Sequence, residues 1–429
     1  MTQNGKIPLW FSAPLLAVLF FHLVCESMVI PILAPTLAEP VSASHDMLAG
    51  YSAATHKFVY GIALAAYPVL VFFCAPMIGA LSDSIGRKPV LAAALIGTII
   101  GCVGQGLGME LLSVGTFILG RVLVGATAGV DGVIQAALLD RCADEKSKNF
   151  YLGASLLAMS AGFMAGPAFA ALLIDENASS GAWSIPFFAL APIFALTLFM
   201  LGKSIPQSAS TQSRGKINPL SGLTDIAIFL KIKPARHLAA IFIFSEIAAG
   251  CIAALSPLVL ADSFGFSVKE IALYMSLHGV FSSVMFALVG PKMLEKFSKN
   301  FSLRLSMTLC IVAAILPFFE DIGKFVWANT FFMASGFGLS YYVILAMFAD
   351  SADERRRGWL LSVMSSMWGL TMGMGLVLCG IAVGVSNGFC ILISVVLCAV
   401  AFLMSLAKIR RFKISSMIPE DPKIQRIKI

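Results

Sequence analysis

Charge is scarce in this chain. Only 12% of its 429 residues are Asp, Glu, Lys or Arg, against about 25% in a soluble domain. That deficit excludes water as the solvent for most of the molecule. The nine cysteines have no C-x-x-C spacing and no His cluster beside them, which argues against a metal site. None falls in a segment assigned below to the outer side of a membrane, where oxidation would pair them. There is no H-E-x-x-H stretch and no nucleophile constellation, so neither an enzyme nor a cofactor is expected. No basic patch reads as a nucleic-acid footprint. The first apolar stretch is too long for a cleavable signal and runs on through polar His22 and Glu26.

What the chain has is hydrocarbon: 59% of its residues are hydrophobic. A run of about 20 apolar residues crosses a bilayer as a helix. Twelve such spans are expected, at 10–33, 58–79, 89–108, 112–139, 149–174, 184–202, 237–258, 268–290, 301–319, 323–346, 358–384 and 388–407. Frequent glycine and regular spacing favour helices over a β-barrel, whose signal is short alternating segments. With a cytoplasmic N-terminus, all of the 30 basic residues except Lys57, Lys269, Lys324 and Arg121 fall on the cytoplasmic side, as the positive-inside rule requires. The net charge of +7 is then a matter of topology, with the basic loops facing an anionic leaflet.

The polar segment 203–236 divides the chain. Residues 1–202 read as one six-helix bundle, 237–408 as a second, and 409–429 as a basic cytoplasmic tail. Within the linker, Leu220, Leu223, Ile226 and Leu230 mark a short amphipathic helix lying along the inner leaflet. The halves echo each other. Asp144-Glu145-Lys146 precedes span 5 as Asp353-Glu354-Arg355 precedes span 11, and Cys25-Glu26 corresponds to Ser245-Glu246. Gly290-Pro291-Lys292 follows span 8 as the turn at 79–89 follows span 2, in degraded form.

That turn reads Gly79-Ala-Leu-Ser-Asp83-Ser-Ile-Gly86-Arg87-Lys88-Pro89. Gly86 permits a backbone bend that a Cβ resists, and Pro89 suits the start of the next helix. The pattern G-x-L-x-D-x-x-G-R-K-P resembles the loop between helices 2 and 3 of the major facilitator superfamily of secondary transporters. The resemblance implies an all-α membrane fold of two pseudo-symmetric six-helix bundles that rock about a midplane site. It also implies that Asp83 and Arg87, with Asp140 at the end of span 4, latch the halves in the outward-facing state. Two further motifs agree. Arg121 to Gly125 resembles the superfamily's span-4 R-x-x-x-G, whose arginine is implicated in proton coupling. Gly162 to Pro167 resembles the G-x-x-x-G-P motif of export members, although Ala168, Ala170 and Ala171 stand where further glycines are expected. Physically, Gly162 and Gly166 offer a bare face for a neighbouring helix, and Pro167 bends span 5.

Ionisable groups in mid-span are functional hypotheses by default. Glu26, Arg121, Asp131 and Glu246 are four, joined by His22 and His278. Each charge at a helix centre costs about 2.5–3.5 kcal/mol, so they must be paired, hydrated or neutral. Three carboxyls face one arginine. The other two acids must then be protonated, touch water in a cavity or meet another cation, and since desolvation favours the neutral form a buried acid is a candidate proton carrier. Glu26 is the first choice. His22, four residues earlier, lies on the same face and is expected to share its proton. Glu246 is the repeat mate of Glu26. Asp131 reads equally as carrier or structural partner. His278 and Trp368 read first as packing residues and second as cavity residues, whereas Trp10, Trp183 and Trp359 read as interfacial aromatics. Tetracycline exporters of this group carry Asp nine residues before a span-1 proline. Counting back from Pro31 lands on His22, so the coupling residue has moved or the substrate differs.

These observations predict a proton-coupled transporter of a small molecule in a bacterial cytoplasmic membrane, a monomer with both termini cytoplasmic. Its partners would be the substrate, protons and the bilayer. Export of a drug or metabolite by antiport is the first reading. Proton-driven import of a small nutrient, such as an amino acid or siderophore, is the second.

Overall fold

The computed structural model describes residues 8–40, 45–142, 144–174, 180–204, 226–227, 229–231, 233–318, 326–351, 354–407 and 409. Among them the chain is helical, without strands. Twelve long helices follow in order. They are α1 (Leu9–Ala38), α2 (Ala53–Ile85), α3 (Arg87–Glu110), α4 (Val114–Leu139), α5 (Glu145–Leu173) and α6 (Ile185–Ser204), then α7 (Lys233–Asp262), α8 (Val268–Lys296), α9 (Lys299–Ile315), α10 (Val326–Phe348), α11 (Glu354–Val383) and α12 (Asn387–Leu406). Eleven are long and apolar enough to cross a membrane. The exception, α9, has 17 residues and continues into a short 3₁₀ turn, Leu316–Phe318.

Helix starts follow the sequence's small polar residues. Ser52, Ser113, Asp144, Ser298 and Ser386 each accept from a backbone N–H one turn into the helix they begin, and Ser267 forms a full capping box with Glu270. Residues Gly384 to Gly388 spell G-x-S-x-G, but the Ser386 hydroxyl accepts the Phe389 N–H at 3.0 Å and serves as the cap of α12.

The expected turn at 79–89 is tighter than the sequence suggests. Residues 79–85 complete α2, and the chain reverses at Gly86 alone, with φ +97°. Pro89 is the third residue of α3 rather than its first, still within the turn whose N–H groups lack helical acceptors. Four helices are locally irregular. α1 and α8 contain π turns at Ala34–Ala38 and Met285–Val289, α10 contains one at Ala334–Gly338, and α4 loosens at Ala128-Gly129. In the linker, Ile226 and Phe229 are buried in the core of the second helix group, where the Phe229 ring meets Phe348 at 4.9 Å. Leu220 and Leu223 lie outside the described residues.

The first six helices and the last six meet along α2 and α11, and along α5 and α8. Glycine lets the backbones approach. A Cβ on Gly61 would stand 2.7 Å from Leu376 O, and one on Gly279 would stand 2.9 Å from Met164 Cα. The Tyr60 hydroxyl donates across the seam to Ala254 O at 2.8 Å. On the face away from the linker, a cavity of about 290 Å³ lies between the end of α1 and the start of α8, lined by Pro35, Glu39, Leu258, Phe266 and Glu270 among others.

Glu39 gives this seam a pH dependence. Burial first, and then the Asp262 carboxyl at the end of α7, push the Glu39 carboxyl above its usual range, against the pull of the Lys57 ammonium 3.4 Å away. An acid raised in this way keeps its proton in the folded state while the unfolded chain loses its own. Stability therefore falls as pH rises from the ordinary carboxyl range through the raised value. Glu39→Gln is expected to remove that slope. Its thermal unfolding midpoint should gain on the wild type as pH rises above the ordinary carboxyl range, and parallel curves would contradict the assignment.

Candidate functional site

The interior ionisable residues of the first six helices form two pairs, an arginine with a carboxylate and a histidine with a carboxylate. Arg121 Nη1 donates to Glu26 Oε2 at 2.9 Å, and His22 Nδ1 lies 3.0 Å from Asp131 Oδ1. The expected sharing between His22 and Glu26 is not what forms. Their i, i+4 spacing puts both on one face of α1, but each reaches across to α4, where Arg121 and Asp131 stand within hydrogen-bond distance. The loosened turn at Ala128-Gly129 separates Arg121 from Asp131 along α4.

The two pairs share a layout. Arg121 and His22 are sealed, with side chains 1% exposed in both cases, while Glu26 and Asp131 keep 16% and 18% of their side-chain surface. The carboxylates are thus the accessible members, with Arg121 behind Glu26 and His22 behind Asp131. Tyr67, which sequence reasoning missed, lies between the pairs. Its ring centroid is 5.5 Å from the Arg121 guanidinium carbon and 6.1 Å from the His22 ring. The signal was available, since an aromatic beside Pro68 in span 2 faces the span-4 arginine motif, but nothing local distinguished it from core packing.

Gly162 and Gly166 bear on this site directly. They press α5 against the stretch of α1 that carries His22 and Glu26. A Cβ on Gly162 would fall 2.1 Å from Phe20 O, and one on Gly166 would fall 2.7 Å from Val24 O. Pro167 follows inside α5.

Across the seam, Glu246 is 4% exposed, and no described residue hydrogen-bonds or ion-pairs with it. His278 Nδ1 is buried without a hydrogen-bond partner among the described residues. Trp368 packs against the core of the second helix group. Trp10 is exposed at the start of α1, as an interfacial aromatic is. Trp183, however, is 1% exposed and packs against His45 at 5.4 Å, so it is not a membrane-interface anchor. The Trp359 side chain lies outside the described residues.

At the linker face, Arg87 Nε donates to Asp140 Oδ2 at 2.7 Å, and Lys88 Nζ donates to Gly202 O at 2.7 Å, capping the end of α6. These two contacts join helices of the same six-helix group. The Asp83 side chain lies outside the described residues, and Gly79 has open space around it. The second group repeats the arrangement. Lys299 pairs with Asp350 at the end of α10, and Arg304 donates to Ser405 O and Leu406 O at the end of α12, at 3.2 and 2.8 Å. The sequence showed only a degraded copy, because the repeat is kept in charge and position while its glycine and leucine signature is lost.

Comparison with known proteins fits this geometry. The sequence profile of the Major Facilitator Superfamily matches residues 15–344 and 238–423. The class C tetracycline resistance protein of Escherichia coli is 27% identical over 331 residues, covering 76% of this chain and 79% of that protein. The class G tetracycline resistance protein of Vibrio anguillarum is 24% identical over 352 residues, covering 80% and 83%. Among solved structures, a D-xylose-proton symporter superposes with a TM-score of 0.73 at 14% identity, over 94% of this chain and 98% of that one. A bacterial homologue of the human lysosomal transporter Spinster does so with a TM-score of 0.71 at 13% identity, over 95% and 98%. The match over most of the chain, together with twelve helices and a carboxylate–arginine core, establishes the chain as a multi-pass membrane transporter, not an enzyme, that belongs to the Major Facilitator Superfamily.

Proposed function

We propose that this protein exports a small molecule by proton antiport, through alternating access of residues 1–202 and 237–408 about the interior carboxyls. Glu26, Asp131 and Glu246 are the proton sites, and Arg121 and His22 hold the first two in place. The observation that carries this reading is the unequal compensation of three buried acids. Glu26 has Arg121 behind it and Asp131 has His22, and each keeps part of its surface exposed. The third, Glu246, has no counter-charge among the described residues and is tolerated in hydrocarbon as the neutral acid. Export is supported by relatives named for tetracycline resistance and by the close α1–α5 contact at the glycine motif. The basic residues at the linker face favour a cytoplasmic linker and cytoplasmic termini, and the bacterial relatives favour an inner membrane.

Proteoliposomes holding the full-length protein test this, with tetracycline as the probe. Uphill tetracycline movement opposite to an imposed proton gradient is expected, and movement together with the protons would favour import instead. In Glu26→Gln, Asp131→Asn, Glu246→Gln combined, gradient-driven flux is expected to fall at least about tenfold, because no interior acid is left to exchange a proton. Undiminished flux would remove the basis of the reading.

A further inference from the structure

A proline inside a helix leaves the carbonyl four residues back without its N–H donor. In α2 the proline is Pro68 and the carbonyl is Leu64 O. That oxygen is not left bare: Arg121 Nη2 donates to it at 3.4 Å, and Arg121 Nε donates to the neighbouring Ala63 O at 3.2 Å. The same guanidinium donates to Glu26 at 2.9 Å. Arg121 thus divides its donors between one carboxylate on α1 and two backbone carbonyls of α2, of which Leu64 O is the one that Pro68 leaves without a helical donor. Gly125, one turn further along α4, holds the two helices together, since a Cβ there would stand 2.9 Å from Tyr67 Cα.

The other side of the same stretch of α2 touches the second helix group. A Cβ on Gly369 of α11 would lie 2.8 Å from Pro68 O, and one on Gly373 would lie 2.5 Å from Val69 Cγ2. One short stretch of α2 therefore touches the buried arginine on one face and the partner helix across the seam on the other.

We infer that the Pro68 break is a positioning element that couples the Glu26–Arg121 pair to the seam between the two helix groups. With Glu26 ionised, the guanidinium is shared between carboxylate and carbonyls. With Glu26 protonated, the carboxylate's hold weakens and the guanidinium settles on Leu64 O and Ala63 O, changing the bend that α2 presents to α11. The charged and titratable groups gathered around Tyr67 at this point are Glu26, His22 and Cys25 on α1, and Arg121 and Asp131 on α4. The inference rests on the proposed reading of Glu26 as a proton site.

The test is the pH dependence of the distance between the groups, in the full-length protein in lipid nanodiscs. Spin labels on genetically encoded residues at the exposed positions Ile85 and Phe297 report the linker face, and labels at Tyr51 and Val385 report the far face. The wild type is expected to switch between two distance populations with a defined pH midpoint. Pro68→Ala supplies Leu64 O with its own N–H and removes an acceptor from Arg121. Its midpoint should move by about one pH unit, the scale set by one hydrogen bond to a charged group. Pro76→Ala is the control, because it also restores an N–H within α2, yet no described side chain donates to the Phe72 carbonyl it serves. It should keep the wild-type midpoint. Pro68→Gly gives a second reading, restoring the N–H without stiffening the helix. If Pro68→Ala or Pro68→Gly overlays the wild type, the coupling is overturned while the proton reading stands. If the wild type itself does not switch with pH, both are overturned.

Discussion

Arg121→Leu is expected to abolish gradient-driven transport and to leave a protein that unfolds well below the wild type. The side chain is 1% exposed and serves three acceptors on two helices, Glu26 Oε2, Ala63 O and Leu64 O. Removing one partner of a buried ion pair costs about 3–5 kcal/mol, because the other charge is left buried and alone. Leu64 O, already deprived of its helical donor by Pro68, adds the penalty of an unmade hydrogen bond, about 1–3 kcal/mol. The sum is a large share of the roughly 5–15 kcal/mol that holds a domain together. Arg121→Lys should fold better, since it keeps the charge, but a point charge cannot fork between α1 and α2. Arg121→Leu combined with Glu26→Gln should recover much of the stability without recovering transport. Thermal unfolding in detergent and proton-driven flux in vesicles read the two effects separately. A wild-type unfolding midpoint in the single variant would show that the pair is not the anchor argued here.

The second large effect is expected at the span-5 glycines. Gly166→Val places carbon where Val24 O and Met28 N already stand, 2.7 and 2.9 Å from a bare Cβ, and Gly162→Val does the same to Phe20 O at 2.1 Å. These are backbone atoms of α1 and cannot rotate away. Overpacking of this kind costs about 1–3 kcal/mol even where side chains absorb it. Here α1 itself must move, and with it His22 and Glu26 relative to Asp131 and Arg121. Even Gly166→Ala should therefore lower transport more than it lowers stability. Gly153→Ala is the comparison within α5. No atom lies within 4 Å of its added Cβ, so it should be neutral or stabilising by up to about 1 kcal/mol, as alanine is over glycine inside a helix. Equal transport losses at Gly153 and Gly166 would mean that helix propensity, and not the contact with α1, sets the effect.

Much of the molecule was legible from composition and spacing. Twelve apolar runs, the reversal at Gly86 and the scarce interior acids are local properties, and in lipid a helix satisfies its backbone hydrogen bonds within one segment. That is why the number and order of the helices follow from the chain read residue by residue. The partners of the interior charges were another matter. Helical spacing put His22 beside Glu26, yet both pair with α4. Spacing along one helix says which face a side chain occupies, not what stands opposite that face. The burial of Trp183 and the Lys299–Asp350 pair were hidden for related reasons. An aromatic at a span end looks the same whether lipid or His45 covers it, and the second copy of the linker-face arrangement survives only as charges far apart in sequence.

The amino-acid sequence by itself determined that this chain lives in a membrane, crosses it repeatedly as helices, and places a few titratable groups where hydrocarbon penalises them. Those outcomes depend on hydropathy and backbone chemistry, which each segment carries alone. Only the tertiary structure decided which carboxylate Arg121 holds, that Arg121 also binds Leu64 O, which Pro68 leaves without its helical donor, and that Glu246 stands without a counter-charge among the described residues. Those outcomes depend on distances of a few ångströms between segments dozens of residues apart, and such distances exist only after the helices have packed.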